Sequence, residues 1–251
     1  MTAKEMEILN YINVNRIAKT DELTRIFSLS ESTVRRILDR LERQKLIVRF
    51  HGGAASNSEI RNNTAVSARL NLRNKEKELI AKKAAEHVAD GNTIIMLGGT
   101  TVYYMCKYLK GKNLTVITNS LLVLDALKAE TSMKIVLLGG EYNNDEAELR
   151  GSLTSNTLQR LGADYVFTSA TGFVEDRGFL TPHIDSIELY NMCFQVAKRV
   201  FMLVDSSKYQ KSDVAITARS EDIDCLISDS GLPDEAREAF MRKGVEVIIA
   251  E

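Results

Sequence analysis

The chain is poor in cysteine and histidine, carries almost no net charge, and has no long apolar run. Each shortage removes a class of protein. Its three cysteines, Cys106, Cys193 and Cys225, are odd in number and widely spaced, which fits neither a disulfide framework nor a zinc knuckle. They point to a reducing cytosol and a cytoplasmic protein. The three histidines, His51, His87 and His183, are equally dispersed, so neither a metal site nor a cofactor is expected. The first residues, MTAKEMEILN, place acids where a secretory signal needs an apolar run. No apolar stretch reaches the roughly 18 residues of a membrane span. With 33 basic and 34 acidic side chains and a net charge of −1, the chain as a whole is no polyanion binder.

What is present is ordinary in bulk and uneven in detail. A chain of 251 residues, 44% hydrophobic and 27% charged, is a soluble globular protein of one large domain or two ordinary ones. Charge collects in residues 31–53, where six Lys/Arg stand against three acids, a local excess of +3. Read as a helix, this stretch stacks Val34, Ile37, Leu38 and Leu41 on one side and projects Ser32, Arg35, Arg36, Asp39 and Arg43 from the other. Ser30 suits the N-cap. Leu46–Phe50 then turns apolar and β-prone, and His51-Gly52-Gly53 forms a turn.

Charge alone fits a solvated helix face just as well. The preceding residues favour DNA. Residues 4–14 read as a helix with Met6, Leu9 and Ile12 on one face and Ile8 and Tyr11 beside them. Ile17 and Ala18 suit a short strand. Thr20 or Asp21 caps a second helix whose buried side is Leu23, Ile26 and Phe27, and Ser28-Leu29-Ser30 is a tight turn. Helix, short helix, turn, longer helix and ribbon is the order of a winged helix-turn-helix. Recognition helices read with their N-terminal half, which assigns Ser32, Thr33, Arg35 and Arg36 to base edges. Arg40, Arg43, Arg49 and His51 are left to the phosphates of double-stranded operator DNA. One such unit reads too few base pairs for a unique address, so a homodimer or homotetramer on repeated half-sites is expected. Ala54–Asn63 is small, polar and free of proline, and reads as a flexible linker or a long wing loop. The expected division is a DNA-binding domain over 1–55, a linker and sensor start over 56–74, and an α/β domain over 75–251.

From Lys75 onward, Ile/Val/Leu strands alternate with helices, the pattern of a mostly parallel sheet covered on both faces. Ligands of such sheets sit outside the carboxyl ends of the strands. Those ends read Gly98-Gly99-Thr100-Thr101, Thr118-Asn119-Ser120, Gly139-Gly140, Ala170-Thr171-Gly172 and Asp205-Ser206-Ser207-Lys208. Small and hydroxyl- or amide-bearing residues at helix starts favour an anion, with Lys208 as a balancing charge and Lys77 within reach. A phosphate-bearing small molecule is the natural ligand. Taken singly, each segment also reads as a plain β–α turn, and Lys208 as a surface lysine.

These residues resemble the DeoR family of bacterial sugar-metabolism regulators. SESTVRRILDRLERQKLIVRFHGGA matches its DNA-binding signature. The second half matches in Arg69 eight residues before Lys77, Lys77-x-x-Ile80-Ala81, Gly99-Thr100-Thr101, Thr118-Asn119-Ser120, Leu138-Gly139-Gly140, Arg150-Gly151 and Asp205-x-Ser207-Lys208. Ile37 departs where the family usually has an acid, and Gly98 where a hydroxyl residue is usual. The resemblance implies a transcriptional repressor of a sugar-metabolism operon whose C-terminal domain, similar in fold to ribose-5-phosphate isomerase, binds a phosphorylated sugar. It adds Arg150 to the ligand residues Lys77, Gly99, Thr100, Thr101, Asn119, Ser120, Gly140, Thr171, Gly172 and Lys208. The alternatives are an isomerase-like enzyme, an activator, or a constitutive DNA binder with an unused second domain. Such isomerases carry Asp-Gly-x-Asp after a central strand, because moving a proton between adjacent carbons needs a general base. Here the stretch is Ala170-Thr171-Gly172-Phe173-Val174, so no catalytic residue is assigned and no enzyme is expected.

Overall fold

The computed structural model describes residues 2–15, 17–44, 46–50, 52–56 and 66–251. It divides into two compact units, residues 1–69 and 70–251.

The first unit contains α1 (Ala3–Asn15), β1 (Ile17–Lys19), α2 (Thr20–Phe27), α3 (Glu31–Arg43), β2 (Ile47–Phe50) and β3 (Gly53–Ser56). Val34, Ile37, Leu38 and Leu41 pack with Ile8, Leu9, Ile12, Leu23 and Ile47 into one core, as the 3.6-residue period of α3 requires. Two expected core residues are not in it: Met6 is 47% and Ile26 48% exposed. Ile8 fills the α1 position assigned to Met6, and α2 is short enough for Leu23 and Phe27 to cover its buried side. Helix α2 begins at Thr20 itself, because the Glu22 carboxylate turns back to accept the Lys19 N–H at 3.1 Å. It ends where Ser28 enters the left-handed region, with half-buried Leu29 closing the turn.

The expected linker starts too early. Ala54–Ser56 lie in β3, the central strand of an antiparallel sheet ordered β1-β3-β2. Its small residues show no hydrophobic period, yet Ala54 is fully buried. The remainder of that segment, 57–63, and His51 lie outside the described residues.

A short helix α4 (Val66–Leu70) follows, and then the second unit proper: α5 (Asn74–Ala85), β4 (Thr93–Met96), α6 (Thr100–Leu109), β5 (Thr115–Thr118), α7 (Leu121–Leu127), β6 (Lys134–Leu137), β7 (Glu141–Asn143), β8 (Glu148–Arg150) and α8 (Ser152–Leu158). Next come β9 (Ala163–Thr168), β10 (Gly172–Val174), β11 (Gly178–Thr181), α9 (Ile187–Val196), β12 (Ala197–Leu203), β13 (Ala215–Ala218), β14 (Cys225–Asp229), α10 (Asp234–Arg242) and β15 (Glu246–Ala250). Seven strands form one parallel sheet, ordered β15-β14-β12-β9-β4-β5-β6. Successive residues serve opposite faces: Ile94 and Met96 pack with α5 and α6, Ile95 and Leu97 with α9 and α10. That double burial makes the strands read as unbroken apolar runs.

Two elements have no counterpart in the sequence reading. β7 and β8 form an antiparallel hairpin, and β10-β11-β13 form a small antiparallel sheet. Phe173 and Phe179 stack at 5.5 Å, and Phe179 stacks on Phe240 of α10 at 5.4 Å, which fixes that sheet to the domain.

Candidate DNA-binding and ligand-binding sites

Helix α3 starts from a built cap. The Ser30 hydroxyl accepts the Thr33 N–H at 3.3 Å and lies 3.0 Å from the Ser32 hydroxyl and 2.8 Å from that of Thr33. The arginines behind this cap differ in what they touch. Arg35 pairs with Glu31 one turn back on the open face. Arg40 reaches Glu5 of α1 at 2.8 Å, and Glu5 also accepts the Thr2 N–H at 2.8 Å. Those hydrogen bonds, from the Thr2 backbone first and then Arg40, hold the Glu5 carboxyl below its ordinary pKa. The Arg49 side chain pairs with Asp39, and its N–H donates to Glu42 at 3.1 Å, tying β2 to α3. Among the described residues, no hydrogen bond or ion pair engages Arg36 or Arg43, and both are exposed. Ile37 is buried, so the departure from the family signature falls on the packing side of α3.

In the second unit, the carboxyl ends of β4, β5, β9, β12 and β14 gather buried polar residues. Thr100, Thr101, Asn119, Ser120, Lys77 and Arg150 are all less than one-tenth exposed, and such burial of cations is uncommon. Gly99 precedes α6 with φ +132°, a conformation that L side chains rarely adopt. Ser120 caps α7 by accepting the Val123 N–H at 3.5 Å. Gly140, at φ +154°, lies so close to Thr154 that a Cβ would come within 2.1 Å of its hydroxyl oxygen.

One network links three strand ends. Asn119 Oδ1 accepts the Gly98 N–H at 3.1 Å, and its Nδ2 donates to Glu148 Oε2 at 3.2 Å and to the Leu149 carbonyl at 3.1 Å. Arg150 Nε donates to Glu148 Oε1 at 2.9 Å, and Nη2 adds a second bond to the same oxygen. Burial raises the Glu148 carboxyl above its ordinary pKa, against the pull of Arg150. Glu148 escaped the sequence reading because its partners, Gly98 and Asn119, are far away in the chain.

The other expected residues are placed differently. The Thr171 hydroxyl belongs to the small antiparallel sheet, where its one proton can go to Asp213 at 2.7 Å or to the Leu180 carbonyl at 2.9 Å. Gly172 permits a close approach, since its Cβ would meet the Lys211 carbonyl oxygen at 2.2 Å. Lys208 closes the short turn after β12, where Asp205 accepts the Ser207 N–H at 3.1 Å. Beside it, Asp229 at the end of β14 accepts from the Ser206 N–H at 2.6 Å and from its hydroxyl at 2.8 Å. Among the described residues there is no cluster of His, Cys, Asp and Glu fit for a metal ion, and no helix long and apolar enough to cross a membrane.

Two family models match the chain. Residues 5–60 match the DeoR-like helix-turn-helix domain and residues 72–230 the DeoR C terminal sensor domain. The chain is 30% identical over 244 residues to the uncharacterized HTH-type transcriptional regulator YulB of Bacillus subtilis (strain 168), covering 97% of this chain and 95% of that one. It is 31% identical over 245 residues to the HTH-type transcriptional repressor GlcR of the same organism, covering 97% and 94%. Ribose 5-phosphate isomerase A from Neisseria gonorrhoeae aligns with a TM-score of 0.39 and 17% identity, over 53% of this chain and 52% of that one. On the strength of both domains, and of relatives matched along nearly its whole length, the chain belongs to the DeoR family of helix-turn-helix transcriptional regulators.

Proposed function

We propose that this protein is a sequence-specific repressor of a sugar-metabolism operon. It acts as a homo-oligomer in the cytoplasm and is released from its operator by a phosphorylated sugar bound at the strand ends of the second unit. The observation that carries the reading is the concentration of buried polar residues there, with Lys77 and Arg150 among them, in a chain whose first unit leaves Arg36 and Arg43 exposed on α3. Family membership supports the regulator. Relatives named for sugar systems, such as the lactose phosphotransferase system repressor of Staphylococcus epidermidis, support the class of operon.

Release needs an effector that prefers the arrangement unable to fit DNA, by a coupling energy of roughly 1–3 kcal/mol. The domain is read as binding without turnover, because the strand end after β9 carries Ala170-Thr171-Gly172 in place of paired acids. The test is a thermal-shift screen of the whole chain against phosphorylated sugars. A ligand at 100 times its dissociation constant stabilises by about 2.7 kcal/mol. Hits are then tested for release of operator DNA and for turnover. No stabilisation by any sugar phosphate, or turnover of a hit without an effect on DNA binding, would overturn the proposal.

A further inference from the structure

The Glu148–Arg150 pair is buried more deeply than a surface ion pair and is only partly satisfied. Glu148 Oε1 takes both bonds from Arg150, while Oε2 takes one from Asn119. An ionised carboxylate has about four acceptor positions, so at least one on Oε2 stays open. Arg150 Nη1 is buried without a hydrogen-bond partner, 3.6 Å from the Asp185 carboxylate. Nη1 lies on the edge of the guanidinium away from Glu148 and toward Asp185, so what the pair leaves open beside Gly98 is an acceptor position on Glu148 Oε2.

The room for this arrangement comes from position 98. A Cβ there would lie 1.8 Å from Glu148 Oε2. Gly98 does not sit in the left-handed region, so its backbone does not demand glycine. The space taken by Glu148 does. Gly98 and Glu148 are therefore one feature: the missing side chain just after β4 admits the carboxylate from β8.

An open carboxylate acceptor is complementary to a hydroxyl group, which can donate to it. It opposes a phosphate, which offers only acceptors and carries a charge that Glu148 repels. We infer that Glu148, held by Arg150 and admitted by Gly98, is the specificity-determining residue that takes the uncharged, hydroxyl-bearing part of the ligand, and that the anionic group lies away from it, toward the Lys77 and Lys208 ends of α5 and β12. This rests on the proposed sugar-phosphate site and adds its polarity: one end for an anion, the other for hydroxyls. It assigns a role to a residue outside the family signature, through the position where the chain departs from that signature.

The test uses the whole chain and titrates binding of ethyl phosphate against a panel of aldose and ketose phosphates, for wild type, Glu148→Gln and Gly98→Ala. Ethyl phosphate carries the same dianion without hydroxyls. A hydrogen bond to a charged group is worth roughly tenfold or more in affinity, so the best sugar phosphate is expected to bind wild type at least about tenfold more tightly than ethyl phosphate. Both variants are expected to lose most of that preference while keeping their ethyl phosphate affinity, Gly98→Ala by displacing the carboxylate and Glu148→Gln by removing its charge. Either folded variant keeping the wild-type preference overturns the inference and leaves the sugar-phosphate site standing. So does a wild type that binds ethyl phosphate and sugar phosphates alike, which leaves only an anion site. Wild type binding none of the panel overturns both readings.

Discussion

Arg36 is the sharpest probe of the DNA-binding unit, because its side chain makes no hydrogen bond or ion pair with any described residue. Replacing it with alanine removes no described internal contact, and an exposed substitution of this kind changes stability by no more than about 0.5 kcal/mol. The loss in the complex is then nearly all loss of DNA contact. A bidentate arginine on a base edge is worth roughly 1–3 kcal/mol, or about 5- to 150-fold in affinity. Arg35 is the internal control: its guanidinium already pairs with Glu31, so its alanine variant gives up that pair as well and leaves an exposed carboxylate beside the DNA. Fluorescence anisotropy with an operator duplex and a scrambled duplex, across a salt series, separates the possible roles. A base contact relaxes the operator-to-scrambled ratio, with little change in salt slope. A phosphate contact lowers both affinities alike and reduces the slope by about 0.9. An Arg36→Ala protein with unchanged affinity and unchanged selectivity would show that this face of α3 does not enter a groove.

Three further outcomes are expected. Lys208→Ala and Thr100→Ala should abolish release of operator DNA by the effector while leaving DNA affinity intact; loss of DNA binding in both folded variants would refute a separable sensor. Gly140→Ala should destabilise the second unit by more than about 2 kcal/mol in chemical denaturation, because the backbone strain adds to contacts with Thr154 and the Arg150 carbonyl. Glu5 has its carboxyl held below the ordinary value of 4.5, so its contribution is present above that pH and is lost as pH falls through the depressed folded value. Wild type should accordingly be more stable than Glu5→Gln at pH 7, and the gap should close on acidification; a gap that is constant with pH would place the effect elsewhere.

The parallel sheet was legible because strands buried on both faces carry continuous apolar runs, and helix α3 because its period and its Ser30 cap agree. What escaped was short or distant. The β7–β8 hairpin has three residues per strand, too few for an alternation to register. The β10-β11-β13 sheet joins residues across a gap of more than thirty positions, and long-range pairing leaves no local mark. β3 is built of glycine, alanine and serine, and composition alone reads that as a linker. At the candidate site, residues at strand ends could be named from the sequence, because the fold class says where strands end. Glu148 was missed because its meaning lies in the space left by Gly98, fifty residues earlier. Ile37, placed on the apolar side of α3 by the helical period, is buried there.

The central position of β3 has a mechanical consequence. Residue 56 ends the strand whose neighbours on both sides, β1 and β2, are hydrogen-bonded to it. A pull applied at the end of β3 therefore meets the best-anchored strand of the sheet. An edge strand peels one bond at a time; a strand gripped on both sides resists until many bonds give way together. The sheet is thus built to hold its shape under load, and with it the α3 surface that β2 is tied to.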